Sequence, residues 1–230
     1  MYSIDNFKQR TREWGFKRAV HWSVMSVLAR LRIHVHYITL GTDRREIDLE
    51  EAIESPPGYE TRPIGLEEIL THVDRVPGLV REDLEVAFGR GDYCIGNFHG
   101  DELVGFAFES WTRARVNDQL DILVPKGFRY GYKAWTHPDH RRQHLSRLRA
   151  YKRRQYVKRP HEERSIGYVE THNYQSALHT YRHPNLRGQR MGFCGWITLF
   201  GRQIPFNTRR AKWIGFEMVR KADDGKRQYV

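Results

Sequence analysis

Residues 130–151 read YGYKAWTHPDHRRQHLSRLRAY, and the reading of this stretch decides the fold. It runs from a strand-like segment through the turn signal His137-Pro138 into a basic helix. A helix start presents backbone N–H groups that have no partner within the helix, and the peptide dipole adds partial positive charge there, so such a turn suits a phosphate. Arg141, Arg142 and Ser146 surround that start.

Outward from it, strands and helices alternate. Residues 93–98 and 103–108 are strand-like and joined by His99-Gly100-Asp101-Glu102, which predicts an antiparallel hairpin. Two short helices are expected before them. The first carries Leu66, Ile69, Leu70 and Val73 on one side; the second opens near Pro77, carries Leu84, Ala87 and Phe88, and ends at Gly89 and Gly91. Residues 112–126 are more polar, with Leu120, Ile122, Leu123 and Val124 suggesting a further strand. Downstream, residues 166–171 read as a strand and 173–181 as a helix with Asn173 near its start. Residues 191–218, with Trp196, Ile197, Leu199, Phe200, Trp213, Ile214 and Phe216, are expected to supply the last two strands. The order predicts an α/β protein with a mixed, mostly antiparallel central sheet flanked by helices.

The N-terminal part has its own pattern. Phe16, Val20, Val24, Val27, Leu28 and Leu31 recur at helical spacing, with Lys17, Arg18 and Arg30 on other faces. That stripe is expected to pack on the main domain; the alternative is an interfacial basic helix touching anionic lipid. HVHYITL then reads as a strand, and residues 42–63 turn acidic and then Pro/Gly-containing, as a linker or surface loop does.

Composition bounds the partners. The 230 residues include 39% hydrophobic ones, enough for a core, and 39 basic against 28 acidic residues give a net charge of +11. Such a balance favours anionic partners: a nucleotide cofactor, nucleic acid, an acidic carrier protein or an anionic membrane. Cys94 and Cys194 lie in strand-like segments without metal-ligand spacing, so neither a disulfide framework nor a metal site is expected. No apolar run is long enough for a transmembrane segment, and MYSIDNFKQR lacks the apolar core of a secretory signal, so a cytoplasmic location is expected.

The frame His137-Pro138-Asp139-His140-Arg141-Arg142-Gln143-His144-Leu145-Ser146 resembles the acyl-CoA-binding motif of the GCN5-related N-acetyltransferase (GNAT) superfamily, with His144 and Ser146 at the family's glycine positions. Glu170-Thr171-His172-Asn173-Tyr174-Gln175-Ser176 resembles the family's fifth strand and following helix, where N-x-x-S is common. Two such motifs in the right order, about 30 residues apart, are more specific than either alone. The resemblance covers residues 62–218. It implies an acyltransferase domain at 62–220, an N-terminal extension of helix, strand and loop at 1–61, and a tail at 221–230.

What the resemblance implies for chemistry is N-acyl transfer from acetyl-CoA or a longer acyl-CoA to a primary amine of an unidentified acceptor, by direct attack and without a metal. Ala134, Trp135 and Thr136 would pair with the pantetheine arm; Arg141, Arg142, Gln143, His144, Leu145 and Ser146 would hold the pyrophosphate, with Asn173 also on the donor side. Glu170 and His172 are the base candidates, with Glu109 behind them. The family's acid, a tyrosine seven residues after the Asn, falls on Thr180, and Tyr181 stands one residue on. An acyl-carrier protein is the alternative donor. A nucleic-acid role ranks lower: Arg147, Arg149, Lys152, Arg153, Arg154, Lys158 and Arg159 cluster near Tyr151 and Tyr156, but such a run more often makes a solvated helix face.

Overall fold

The computed structural model describes residues 4–42, 54–157, 164–173 and 189–221. In chain order its elements begin with α1 (Ile4–Trp14), α2 (Phe16–Arg30), β1 (Ile33–Thr42), β2 (Tyr59–Pro63), α3 (Leu66–Leu70), α4 (Arg81–Gly89), β3 (Tyr93–His99) and β4 (Glu102–Ser110). They continue with β5 (Arg113–Arg115), β6 (Leu120–Leu123), β7 (Phe128–Thr136), α5 (Leu145–Tyr156), β8 (Arg164–Glu170), β9 (Gln189–Leu199), β10 (Arg202–Asn207), α6 (Arg209–Ile214) and β11 (Glu217–Arg220). A 3-10 turn, Pro138–His140, separates β7 from α5. Two compact units result, one drawn from Met1–Gly41, Val116–Leu123 and Tyr168–Val230, the other from Thr42–Arg115 and Val124–Gly167. The class is α/β, with mixed, mostly antiparallel strands flanked by helices.

In the second of these units, antiparallel ladders join β2 to β3, β3 to β4 and β4 to β7. The β3/β4 hairpin turns at Gly100, as the sequence predicts. Ile64, Ile69, Leu84, Phe98, Phe106 and Phe108 close the core beneath α3 and α4. Full burial of an aromatic or large aliphatic side chain contributes about 1.5–3 kcal/mol, so this cluster is the main anchor of the unit. The helix expected to open near Pro77 starts four residues later at Arg81, because Pro77 and Gly78 form a turn with Gly78 at φ 83°. On the far edge β7 pairs in parallel with β8, Phe128 opposite Arg164, Arg129 opposite Ser165 and Tyr130 opposite Ile166. Among the described residues that ladder ends there, while β7 runs on to Thr136.

In the other unit, β9 lies between β1 and β10, antiparallel to both. The N-terminal strand is thus hydrogen-bonded to a strand more than 150 positions later, with Val35 opposite Gly195 and His36 opposite Cys194. The C-terminal region holds β9, β10 and β11 rather than two strands, and Trp213 and Ile214 fall in α6, which starts after Thr208 and buries Ala211. β11 pairs with β6, and Asn207 ties β10 to β11 through both its amide groups at Met218.

Helix α2 forms where its spacing places it, yet the expected packing stripe is corrected. Ala19, Trp22 and Ser26 are the buried side chains, while Phe16, Val20, Val24, Val27 and Leu31 are exposed. The buried face is set by α1: the Arg10 guanidinium lies 3.9 Å from the Trp22 ring centroid, and small Ala19 and Ser26 permit close approach. Among the described residues no helix is long and apolar enough to cross a membrane.

Candidate functional site

The Pro138–His140 turn is tied by the Asp139 amide, which donates to His137 Nδ1 at 3.3 Å, and Tyr59 Oη lies 2.8 Å from His140 Nδ1. Beyond it the backbone turns left-handed twice, at Arg142 (φ 67°) and His144 (φ 55°), and α5 begins. Left-handed backbone favours glycine, so His144 adopts a conformation that glycine would take at lower cost. Its side chain is exposed, as are Arg141, Arg142, Gln143 and Ser146, whereas Leu145 is buried. The His144 side chain at the N-cap makes no capping hydrogen bond to the first amides of α5. The Arg141 Nε group donates to the Thr136 carbonyl at 3.3 Å, which joins the turn to the end of β7. Ala134 is exposed, and Trp135 and Thr136 are half-buried.

Sequence reasoning missed what lies beneath this turn. Arg149 and Arg153, read as part of a solvated face, are buried. Arg149 donates to Asn97 Oδ1, and at 3.3 Å to Thr136 Oγ1, while Asn97 Nδ2 donates to Thr61 Oγ1 at 2.6 Å. Burial lowers the Arg149 pKa to about 10, which leaves it cationic at neutral pH. Its partners among the described residues are neutral, so the turn sits over a buried positive charge with no carboxylate attached. The signal was present: Arg149 and Arg153 follow Leu145 at steps of four and share its helix face.

Arg153 and Arg129 converge on Glu109, with Arg129 Nη1 at 2.5 Å and Arg153 Nε at 3.4 Å from Oε1. Glu109 is buried, and its Oε2 has no hydrogen-bond partner among the described residues. Two guanidiniums pair with this carboxylate, and burial together with the Glu109 charge raises the pKa of the nearby Tyr93 phenol. On β7 a register shift opposite Ala107 leaves Lys133 at φ 47°, a bulge that the alternation of the sequence did not announce. Its ammonium reaches Asp83 Oδ2 at 2.8 Å, and Arg115 joins the same carboxylate.

Glu170 and His172 lie together at the end of β8 in the other unit, His172 Nε2 being 3.5 Å from Glu170 Oε2. Two further histidines, absent from the sequence-derived candidates, line the same small cavity: His34 and His36 of β1, with Met25 and Ala29 of α2 beside them. Trp196 stacks on both, at 4.5 Å from His34 and 5.2 Å from His36 between ring centroids. Burial lowers the His36 pKa to about 4, with His34 and His172 adding to the effect. Burial also lowers that of His34, opposed in part by the Glu170 charge. His36 Nδ1 and Thr171 Oγ1, both buried, lack hydrogen-bond partners among the described residues. The i, i+2 spacing of His34 and His36, which puts both on one strand face, was the available clue. The Asn173 amide donates to the Glu170 carbonyl at 2.9 Å. Tyr181, and residues 174–181 of the expected helix, lie outside the described residues.

No protein-family model and no curated protein matches the chain. Solved structures similar to it include a GCN5-related N-acetyltransferase from Kribbella flavida, at 15% identity and TM-score 0.41 over 63% of this chain and 52% of that one. A tandem GNAT protein from the clavulanic acid biosynthesis pathway is similar at 17% identity and TM-score 0.44 over 67% of this chain and 52% of that one. A functionally unknown conserved protein from Staphylococcus epidermidis is similar at 11% identity and TM-score 0.44 over 84% of this chain and 79% of that one. Two of these neighbours are GCN5-related acetyltransferases by name. The match spans about half the length of each of those two. Likenesses of this size concern the fold and name no substrate. Among the described residues, no group of histidine, cysteine and carboxylate side chains is placed to hold a metal.

Proposed function

We propose that the chain is an N-acyltransferase that takes its acyl group from acyl-CoA and gives it to a primary amine. The observation that carries this reading is the turn from Arg141 to Ser146: two left-handed residues, helix amides that the His144 side chain does not cap, exposed guanidiniums and the buried cation Arg149 below them. A diphosphate supplies the negative charge that this arrangement lacks. The exposed edge of β7 at Ala134, next to Trp135 and Thr136, is assigned to the pantetheine arm, which pairs with backbone as a strand does. Asn173 is assigned to the donor side.

In the reaction the neutral amine attacks the thioester carbonyl carbon; the C–N bond forms, the C–S bond breaks, and the thiolate leaves as CoA–SH after taking a proton. The Glu170–His172 pair is assigned the proton that the ammonium form must lose, since a carboxylate beside an imidazole is suited to that task near neutral pH. His34 and His36 stay neutral there and shape the wall. Glu109, held by two arginines, is assigned to structure rather than to proton transfer. Tyr181 is retained as the acid that protonates the thiolate. Residues 62–220 are taken as the acyltransferase region, with 1–61 as an extension that contributes His34 and His36 to the cavity, and 221–230 as a tail. Free, buried Cys94 and Cys194 fit a reducing, cytoplasmic setting.

The test is a thermal-shift series with CoA, acetyl-CoA and longer acyl-CoAs. A saturable rise in melting temperature is expected for CoA thioesters, and Arg141→Glu with Arg142→Glu is expected to abolish it while Glu170→Gln leaves it intact and slows turnover. If only acyl-carrier protein binds saturably, the donor is that acidic protein; an unchanged response in the double variant would overturn the assignment of the turn.

A further inference from the structure

The acyl-transfer reading leaves the outer face of α2 unused. Phe16, Val20, Val24, Val27 and Leu31 follow one another at steps of four, four, three and four, which aligns them in a single stripe about 22 Å long at 1.5 Å per residue. All five are exposed, from 38% at Val20 to 66% at Phe16. Scattered apolar residues at a surface are ordinary; five in a line on one helix are a contact surface. Helical spacing puts Lys17 along one border of the stripe and Arg30 along the other.

Charge decides what covers it. Residues 4–32 hold seven Lys and Arg against two carboxylates, Asp5 and Glu13, a net of +5. Two copies meeting through this face would bring two such charges together, which opposes self-association. An anionic surface is favoured instead. A single convex helix offers no groove for a folded protein partner, whereas a lipid bilayer has no shape to match and takes a straight apolar stripe between cationic borders, with Lys and Arg reaching back to the headgroups.

We propose that the α1–α2 helical hairpin docks this chain on anionic phospholipid, with Phe16, Val20, Val24, Val27 and Leu31 entering the headgroup boundary and Lys17 and Arg30 meeting lipid phosphates. Docking through one helix face is peripheral and reversible. It is independent of the acyl donor, since none of these seven side chains belongs to the turn or to the histidine cavity.

Co-sedimentation of the full chain with vesicles tests it, using phosphatidylcholine alone and phosphatidylcholine with about one third phosphatidylglycerol. Binding is expected to the mixed vesicles, weak or none to the neutral ones, and weaker at high salt. Val24→Asp with Val27→Asp is expected to lower the partition coefficient by about tenfold or more, and Lys17→Glu with Arg30→Glu to lower it also. Val24→Asp with Val27→Asp alters only exposed side chains, so its melting temperature and CoA-induced shift are expected to match the parent. The proposal is overturned if the parent ignores phosphatidylglycerol vesicles, or if Val24→Asp with Val27→Asp binds them as the parent does. It is equally overturned if the parent is a dimer in solution that these two substitutions convert to monomer.

Discussion

His144 stands at φ 55° at the start of α5, a conformation that costs a side-chain-bearing residue about 1–2 kcal/mol and glycine far less. Part of that gain is returned through the greater freedom of glycine in the unfolded chain. His144→Gly is therefore expected to raise stability by about 0.5–1 kcal/mol, read as a rise of about 1–3 °C in melting temperature, with CoA binding kept or tightened. A lower melting temperature would mean that the imidazole makes contacts that the exposed position does not suggest. His36 gives a second expectation at this scale. Its folded pKa of about 4 lies below the ordinary value of 6.5, so between these two pH values the unfolded chain binds a proton that the folded chain refuses. Its contribution is fully present above pH 6.5 and is lost as pH falls toward 4, by about 3 kcal/mol in all. Urea titrations across that window check the slope, and His36→Asn is expected to flatten it; a parent stability that does not fall from pH 6.5 to 4 contradicts the burial of a neutral imidazole.

The elements were largely legible because their signals are local. Two apolar segments about the Gly100 turn gave the β3/β4 hairpin, helical spacing gave α2, and Pro138 marked the turn between β7 and α5. Partners and faces were not legible, since they are fixed by contacts remote in sequence. The apolar stripe of α2 looked like its packing face until Arg10 and Trp22 on α1 and α2 are seen to choose the opposite one. Likewise, Arg149 and Arg153 read as solvent-facing because charge outweighed their shared helix face with Leu145, and their acceptors Asn97, Thr136 and Glu109 come from three strands. The pairing of β1 with β9 is the clearest case of a long-range choice, and Gly195 permits it. A Cβ at Gly195 would overlap the backbone oxygen of His34 and press on the Phe206 ring. Backbone on the neighbouring strand cannot rotate aside as a side-chain tip can, so Gly195→Ala is expected to part the β1/β9 ladder locally and cost about 2–4 kcal/mol. Amide hydrogen exchange reads this directly: faster exchange confined to β1 and its ladder with β9 is expected, and unaltered protection there would contradict the register of Val35 opposite Gly195.

Across the whole molecule, 39 cations face 28 carboxylates, and the excess of +11 must repel itself in the folded state. Two kinds of charge respond differently to salt. The Glu109 pairs with Arg129 and Arg153 are buried, so mobile ions reach them poorly and their contribution persists. Exposed pairs such as Arg81 with Glu85, 3.9 Å apart, contribute little at any ionic strength. What added salt chiefly removes is the long-range repulsion among surplus cations, whose range shrinks from about 30 Å at 0.01 M to about 8 Å at 0.15 M. Melting temperature is therefore expected to rise by a few degrees between these concentrations of sodium chloride. Anion binding at the Arg141–Ser146 turn would raise it too, and the two causes separate on substitution. With Arg141→Glu and Arg142→Glu the net charge drops from +11 to about +7, so repulsion predicts a reduced rise that is the same in chloride and in sulfate, while site binding predicts a parent that responds far more to sulfate than to chloride and a variant that does not. A melting temperature that falls as sodium chloride is added would show that attraction between exposed opposite charges outweighs the surplus, against the expectation drawn from the composition.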